Sequence, residues 1–410
     1  MSAPAAASAE TTFEENERVA RVAPSATLAM KARAEERMEA GHPVISLSTG
    51  EPDFDTPAPV AEAGIQAIRD GFTHYTPNPG IAELRERIAD KFARDNGLSY
   101  DADQILCSNG AKQSLALAVH VLCGPGDEVV VPAPYWTSYP EMVKLAGAEP
   151  VVPRAGVDDD YRLTPELLDD AITDETRLVM LCSPDNPTGA VYPPAELEAL
   201  ADVLRAHPGV HVLSDEIYER VVYDAEHRAF ASFEGMKERT VTVNGFSKAY
   251  AMTGWRLGYL AAPRAIAEAA GKVQSQFTSA PCSISQKAGV AALEMGDEPV
   301  EKMVAAFRER RGVALDRLDA IPDLPCPRPE GAFYLFPDVG AYLGTTAPSG
   351  KRIETSEDLC FYLLESCDVA LVPGEAFGAP GGVRLSYAAA MSEIEEALDR
   401  TAEGLAALRR

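Results

Sequence analysis

Several things are scarce in this chain. No two of its seven cysteines stand as CxxC, and their number is odd. Neither a zinc framework nor a disulfide scaffold has that spacing. Cys107, Cys123, Cys182, Cys282, Cys326, Cys360 and Cys367 are therefore expected as free thiols in a reducing cytoplasm, with no metal. No apolar run nears the ~20 residues of a membrane span. The opening MSAPAAASAETTFEENER has neither a basic start nor an apolar block, so it does not read as a secretory signal; residues 1–16 are expected as a disordered leader. Positive charge is short: 37 Lys and Arg face 63 Asp and Glu, for a net charge of −26. Phosphate backbones and anionic bilayers attract basic faces, so neither nucleic acid nor membrane is an expected partner. GxGxxG and GxxxxGK[ST] are both missing, which leaves no dinucleotide fingerprint and no P-loop. There is no internal repeat.

What remains is an ordinary globular composition, 46% hydrophobic and 24% charged, over 410 residues. That length exceeds what one core usually serves, so two lobes are expected. Short β-branched runs recur at 127–134, 148–154, 176–184, 209–215 and 239–247, separated by helical patterns such as 82–97 and 194–207. Alternation of this kind predicts an α/β fold with a doubly wound, mostly parallel sheet. After about residue 295 the texture changes. A charged helix (298–321), a strand (331–339), a helix (356–367), two strands (369–373 and 382–388) and a final helix (391–408) read as an α+β lobe, joined by the helix at 28–40. The expected division is a large domain over 61–294 and a small one built from 17–60 and 295–410.

Ligands of open α/β sheets bind beyond the carboxyl ends of the strands. Four such loops are rich in chemistry. SNGAKQSL (108–115) puts small residues before a helix, a ready anion cradle, or simply a connection. CSPDNPTG (182–189) ends a strand at Asn186, an amide with both donor and acceptor. Pro187 fixes its backbone, and a cis bond there is one way to do so. In VLSDEIYE (212–219), Asp215 ends an apolar run and needs a partner; a cationic ring nitrogen would serve, and so would a helix N-cap. Tyr218 follows three residues on. In NGFSKAYAMTGWRLGY (244–259), Lys248 stands among small and apolar neighbours. A partly desolvated lysine has a depressed pKa and becomes a nucleophilic amine, able to form a Schiff base with an aldehyde; the ordinary reading is a snorkelling surface residue. Each loop is ordinary alone. Together they describe an anion cradle, an acceptor for a pyridinium, a phenol and amide near a phenolate, and an aldehyde-capturing amine, a set that fits pyridoxal 5′-phosphate (PLP).

The motifs PSAT (24–27), STGEPDFDTP (48–57), YTPNPGIAELR (75–85), PYWTSYPEM (134–142), SPDNPTGAVYP (183–193), SDEIYE (214–219), NGFSKAYAMTGWR (244–256), EGAFYLF (330–336), VPGEAFG (372–378) and VRLSYA (383–388) carry a resemblance along most of the chain. On them it resembles the class I aminotransferases of PLP fold type I, and most of all the bacterial aspartate aminotransferases. The resemblance implies a large domain with a mostly parallel seven-stranded sheet, a smaller α+β domain, and a homodimer with shared active sites. It implies that Lys248 bonds the cofactor and then shuttles a proton, that Asp215 pairs with the pyridinium, and that Tyr218 and Asn186 hydrogen-bond the ring oxygen. Trp136 would stack on the ring. Gly110, Ala111, Lys112 and Arg256 would hold the phosphate, with Tyr75 reaching it from the other subunit. Arg384 would grip the substrate α-carboxylate, with Gly50, Trp136 and Asn186 lining that end. Many relatives have a phosphate-binding serine three residues before the lysine; here Gly245 stands there, and Ser247 is the neighbouring hydroxyl.

The implied reaction is ping-pong transamination between an L-amino acid, aspartate first, and 2-oxoglutarate. Ser25 and Thr27 would lie where relatives bind a distal carboxylate, and the His120 and Ser279 neighbourhoods would help shape the side-chain pocket. Aromatic or prephenate-type substrates stay open, as do elimination, cyclisation or oxidation on the same scaffold. A non-catalytic regulator that kept the fold is the other class; no basic DNA-binding extension supports it.

Overall fold

The computed structural model describes residues 13–24 and 26–409. Most of the expected leader (1–12) and Ser25 lie outside the described residues. Among the described residues, twelve strands appear in chain order: β1 (Ile45–Ser46), β2 (Ile105–Ser108), β3 (Glu128–Val130), β4 (Glu149–Val151), β5 (Thr176–Cys182), β6 (His211–Asp215), β7 (Thr240–Gly245), β8 (Gly258–Ala261), β9 (Tyr334–Leu335), β10 (Val369–Ala370), β11 (Val372–Pro373) and β12 (Val383–Ser386).

Seven of them form one sheet in the order β2-β8-β7-β6-β5-β3-β4. Every pairing is parallel except those of β8, which runs antiparallel to both β2 and β7. β2, β7 and β8 are buried at every residue, the mark of a sheet covered on both faces. That explains runs of β-branched residues instead of polar–apolar alternation. The register Cys182↔Asp215↔Val243 aligns the carboxyl ends of β5, β6 and β7. The loops bearing Asn186, Tyr218 and Lys248 therefore leave the sheet along one edge. β2 and β8 were not among the expected runs: ILCS and GYLA hold one β-branched residue between them, Ile105.

β8 also delivers a helix to that edge. A Cβ on Gly258 would lie 2.3 Å from the Ala111 nitrogen and 2.6 Å from the Gly110 carbonyl carbon. Only glycine lets the helix Ala111–Leu122 dock its first turn there. The helix begins at Gly110, whose φ of +83° favours glycine as well.

Helix ends follow local chemistry. Ala82–Asn96 stops at Gly97 in the left-handed region (φ +66°). Ser356–Cys367 starts where the Thr355 hydroxyl accepts the Asp358 N–H and stops at Asp368 (φ +54°). The helices Glu298–Asp319 and Met391–Ala406 each fall two residues short of the expected spans. Two strand expectations change more. The stretch 331–339 supplies only β9, because Gly331–Phe333 turn first. The stretch 369–373 breaks at Leu371: β10 pairs in parallel with β1, whereas β11 pairs antiparallel with β12. A buried core joins these elements, with Phe307, Phe333, Tyr334 and Tyr387 packed on Tyr218 and Val221 beyond β6.

Two polar devices fix the site-bearing segments. Behind Tyr218, the buried Glu219 carboxylate pairs with Lys91 of the helix Ala82–Asn96 and accepts from Asn96 at 3.1 Å. Burial pushes the carboxyl up, but the charges of Lys91 and His227 and the bonds from Lys91 and Asn96 together hold it below its ordinary range. Ahead of β2, the segment 50–56 is clamped from both sides. Arg310 grips Asp53 through two bonds (2.6 and 2.8 Å), and Thr56 bonds the Ala251 carbonyl and the Trp255 indole N–H.

Candidate active site

Most of the residues singled out in the sequence meet in one cleft of about 490 Å³ at the carboxyl edge of the sheet. Gly50, Ala111, Lys112, Trp136, Asn186, Asp215, Tyr218, Ser247, Lys248, Arg256 and Arg384 all line it.

Asp215 ends β6 with its carboxylate buried. Oδ2 accepts from the Tyr139 hydroxyl (2.7 Å) and Oδ1 from the Ile217 N–H (3.2 Å). Burial pushes the carboxyl up to about 6, against those two bonds and the nearby charge of Lys248. An acid held this way gains from a cationic partner, which would return it to the charged form.

Lys248 stands in the turn after β7. Its Nζ donates to the Gly50 carbonyl (2.5 Å) and lies 5.7 Å from the centre of the Tyr218 ring. Burial pushes the amine down to about 8, and the positive charge of Arg384 adds to the effect. The opening thus holds a lysine with an appreciable neutral fraction near pH 8, as a nucleophile requires.

Gly245 stands where β7 and β8 run close together. A Cβ there would sit 3.0 Å from Gly258 Cα and 3.1 Å from the Leu257 carbonyl oxygen. Ser247, buried at 8% exposure, is the hydroxyl that the turn presents to the cleft.

At one end of the cleft the Arg256 guanidinium lies against Gly110, where a Cβ would come within 2.6 Å of Nη2. Arg256 is held by the Thr253 carbonyl at 2.8 Å. The first N–H groups of a helix have no intrahelical acceptor, so the start of Ala111–Leu122 and Arg256 together form an anion cradle. The Lys112 ammonium lies 4.9 Å over the Trp136 ring; burial, then the charge of Arg256, lowers its pKa. Trp136 packs edge-on against Tyr139.

At the other end Arg384 of β12 is buried at 2% exposure. Nη1 donates to Asn186 Oδ1 (2.9 Å) and Nη2 to the Ser48 carbonyl (2.7 Å), while Nε has no partner among the described residues. The DNPTG loop is closed by Asp185, which accepts from the Thr188 N–H and hydroxyl. Burial pushes that carboxyl up to about 7. The cis bonds of this region are Ala133–Pro134 and Ser183–Pro184, not Asn186–Pro187.

Tyr75, expected to act from the other subunit, is fully exposed and outside its own chain's cleft. Two expectations fall elsewhere. His120 turns away, with Nδ1 on the Ala116 carbonyl and its ring against Phe277, and Ser279 is also outside the lining. Thr27 lies at the mouth with Leu28. Sequence reasoning missed Tyr139 and Tyr334. Tyr139 opens the helix Tyr139–Ala146, three residues after Trp136; Tyr334 carried no signal beyond its place in EGAFYLF.

The residues fit PLP on chemistry the protein itself displays. The cradle of Gly110, Ala111 and Arg256 suits a phosphate, the elevated Asp215 a pyridinium, and the depressed Lys248 an aldehyde. The orphaned Nε of a buried Arg384 suits a carboxylate.

The family described as aminotransferase class I and II matches residues 42–401. A bifunctional aspartate aminotransferase and glutamate/aspartate-prephenate aminotransferase of Petunia hybrida is 52% identical over 396 residues, 96% of this chain and 83% of that one. The crystal structure of the aspartate aminotransferase from Rhizobium meliloti superposes with a TM-score of 0.94 at 46% identity, covering 97% of this chain and all of that one. That of the Thermus thermophilus enzyme with maleate gives 0.89 at 42% identity, covering 96% and 100%.

Proposed function

The chain belongs to the class I and II aminotransferases, and from that premise we propose that it moves the amino group of L-aspartate to 2-oxoglutarate with PLP held at Lys248. One observation carries the reading. A depressed lysine amine, a buried carboxylate and a buried arginine fork face a single cleft from three separate loops and strands. Bound there, PLP supplies an aldehyde and an electron-withdrawing ring.

The chain's own residues do the rest. Arg256, Ser247 and the helix start at Gly110, Ala111 and Lys112 hold the phosphate. Trp136 covers one ring face. Asp215, braced by Tyr139, keeps the ring nitrogen protonated; without that proton the ring withdraws electrons poorly. Tyr218 and the Asn186 amide donate toward the ring oxygen. Arg384 binds the α-carboxylate as a two-pronged donor, with Gly50 leaving room beside it. Lys248 would hold the cofactor's aldehyde, and its amine would carry the proton between the substrate Cα and the cofactor's C4′.

We further infer lobes over 61–294 and over 17–60 with 295–410, a homodimer, and a cytoplasmic setting. Free cysteines throughout support the last. Exposed Ile65, Ile68, Tyr75 and Phe277 support the dimer, in which Tyr75 would reach the partner's phosphate. No helix of the described residues is long and apolar enough to cross a membrane. The activity of the petunia relative favours prephenate-type acids as a second acceptor.

The test is a donor screen against 2-oxoglutarate, reading glutamate. Aspartate is expected to give the highest kcat/KM and to yield oxaloacetate in step with glutamate. Release of ammonia, or of more than one keto product per site, without added 2-oxo acid would favour elimination instead.

A further inference from the structure

Tyr334 is absent from the roles above, yet it touches both ends of the site. It opens β9 and is fully buried. Its hydroxyl lies 2.8 Å from that of Tyr218, and either oxygen can be the donor. Burial raises both phenols, so both protons are retained. The face of its ring lies 4.6 Å from the Arg384 guanidinium carbon. Pairing of β9 with β12 brings this about: Tyr334 is opposite Ser386, and Arg384 is its diagonal neighbour on the same face. A Cβ on Gly50 would come 2.8 Å from the Tyr334 hydroxyl. The glycine whose carbonyl receives Lys248 Nζ is thus also the one that makes room for this phenol.

A phenol has one proton. If Tyr218 gives its proton to an acceptor in the cleft, the bond between the two hydroxyls can run only one way. Tyr334 must then donate and Tyr218 accept. A hydroxyl that accepts one hydrogen bond becomes a stronger donor in the next. Meanwhile a cation over an aromatic face is held by the ring's quadrupole, so the same side chain restrains Arg384.

We propose that Tyr334 is a positioning residue that joins the two halves of the site: its hydroxyl orients Tyr218 as a donor to the cofactor's ring oxygen, and its ring holds the carboxylate-binding Arg384 in place. The inference rests on the reading under Proposed function. It assigns separate effects to the hydroxyl and to the ring, and substitutions can separate them.

The test uses the holoenzyme. In Tyr334→Phe, Tyr218 becomes a weaker donor, so the deprotonated ring oxygen is less stabilised. The pH midpoint of the bound chromophore's absorbance should rise by about half a unit, while KM for aspartate stays within about twofold. In Tyr334→Leu the ring is gone too, and KM should rise about five- to tenfold. In a Tyr218→Phe background, adding Tyr334→Phe should shift the midpoint no further, because the hydroxyl acts only through Tyr218. A Tyr334→Phe enzyme that titrates like the wild type, even with a lower Tm or kcat, overturns the proposal. So does a shift of the same size in the Tyr218→Phe background. Wild-type protein that takes up no PLP at Lys248 would end the underlying reading along with it, and that outcome is seen before any variant is made.

Discussion

Lys248→Ala is expected to lose turnover by at least about 10⁴-fold, the scale of removing a positioned proton carrier. Two losses coincide. The amine that bonds the cofactor is gone, and so is the base at the substrate Cα. Arg256, the helix start at Ala111, Trp136 and Asp215 remain, so PLP should still bind, now removable by dialysis. Steady-state rates with aspartate and 2-oxoglutarate, read beside absorbance before and after dialysis, check both parts. The wild-type apoprotein adds a pH signature. Its amine is held down at about 8 by burial and by Arg384, below the ordinary lysine value. The neutral, nucleophilic fraction therefore grows about tenfold per unit as pH rises toward 8 and levels off above it. The rate of covalent PLP capture should follow that curve. A rate still climbing tenfold per unit between pH 9 and 10 would mean that the capturing amine is an ordinary exposed lysine.

Arg384→Ala is the second large effect. It removes two donors and a buried charge, and it strands the Asn186 Oδ1 and Ser48 carbonyl that the guanidinium now satisfies. Breaking a buried charge pair costs about 3–5 kcal/mol, so kcat/KM for aspartate should fall about 10²–10⁴-fold. An amine lacking the carboxylate makes no use of the fork, and its slow reaction should change less than about tenfold. Arg384→Lys should recover only part of the loss, because an ammonium cannot offer two parallel N–H groups. Equal losses for the amino acid and the simple amine would remove Arg384 from its assigned role.

Much of this was legible in the sequence for identifiable reasons. Parallel strands buried on both faces leave β-branched runs, and those runs gave five of the seven strands of the main sheet. Strand ends carry the chemistry in such folds, so Asn186, Asp215 and Lys248 could be placed on one edge from order alone. Gly110 was readable as a turn, but its contact with Arg256 and the docking of β8 on the same helix are facts of tertiary approach. Tyr139 and Tyr334 were missed for a related reason. A buried tyrosine looks like core in a sequence, and only packing shows that its hydroxyl meets Asp215 or Tyr218. The break at Leu371 was hidden as well, since one apolar run served two sheets. Gly245, which looked like a lost ligand, sits at a close approach of β7 and β8 that a sequence does not show.

The central claim is that the amine of Lys248 captures the cofactor's aldehyde. Borohydride reduction of PLP-loaded protein, followed by peptide mass spectrometry, tests it most directly. The account predicts one pyridoxyl adduct per chain, on the peptide containing Lys248, and none in Lys248→Ala. An adduct on another lysine, or no trapped adduct in protein saturated with PLP, would contradict it.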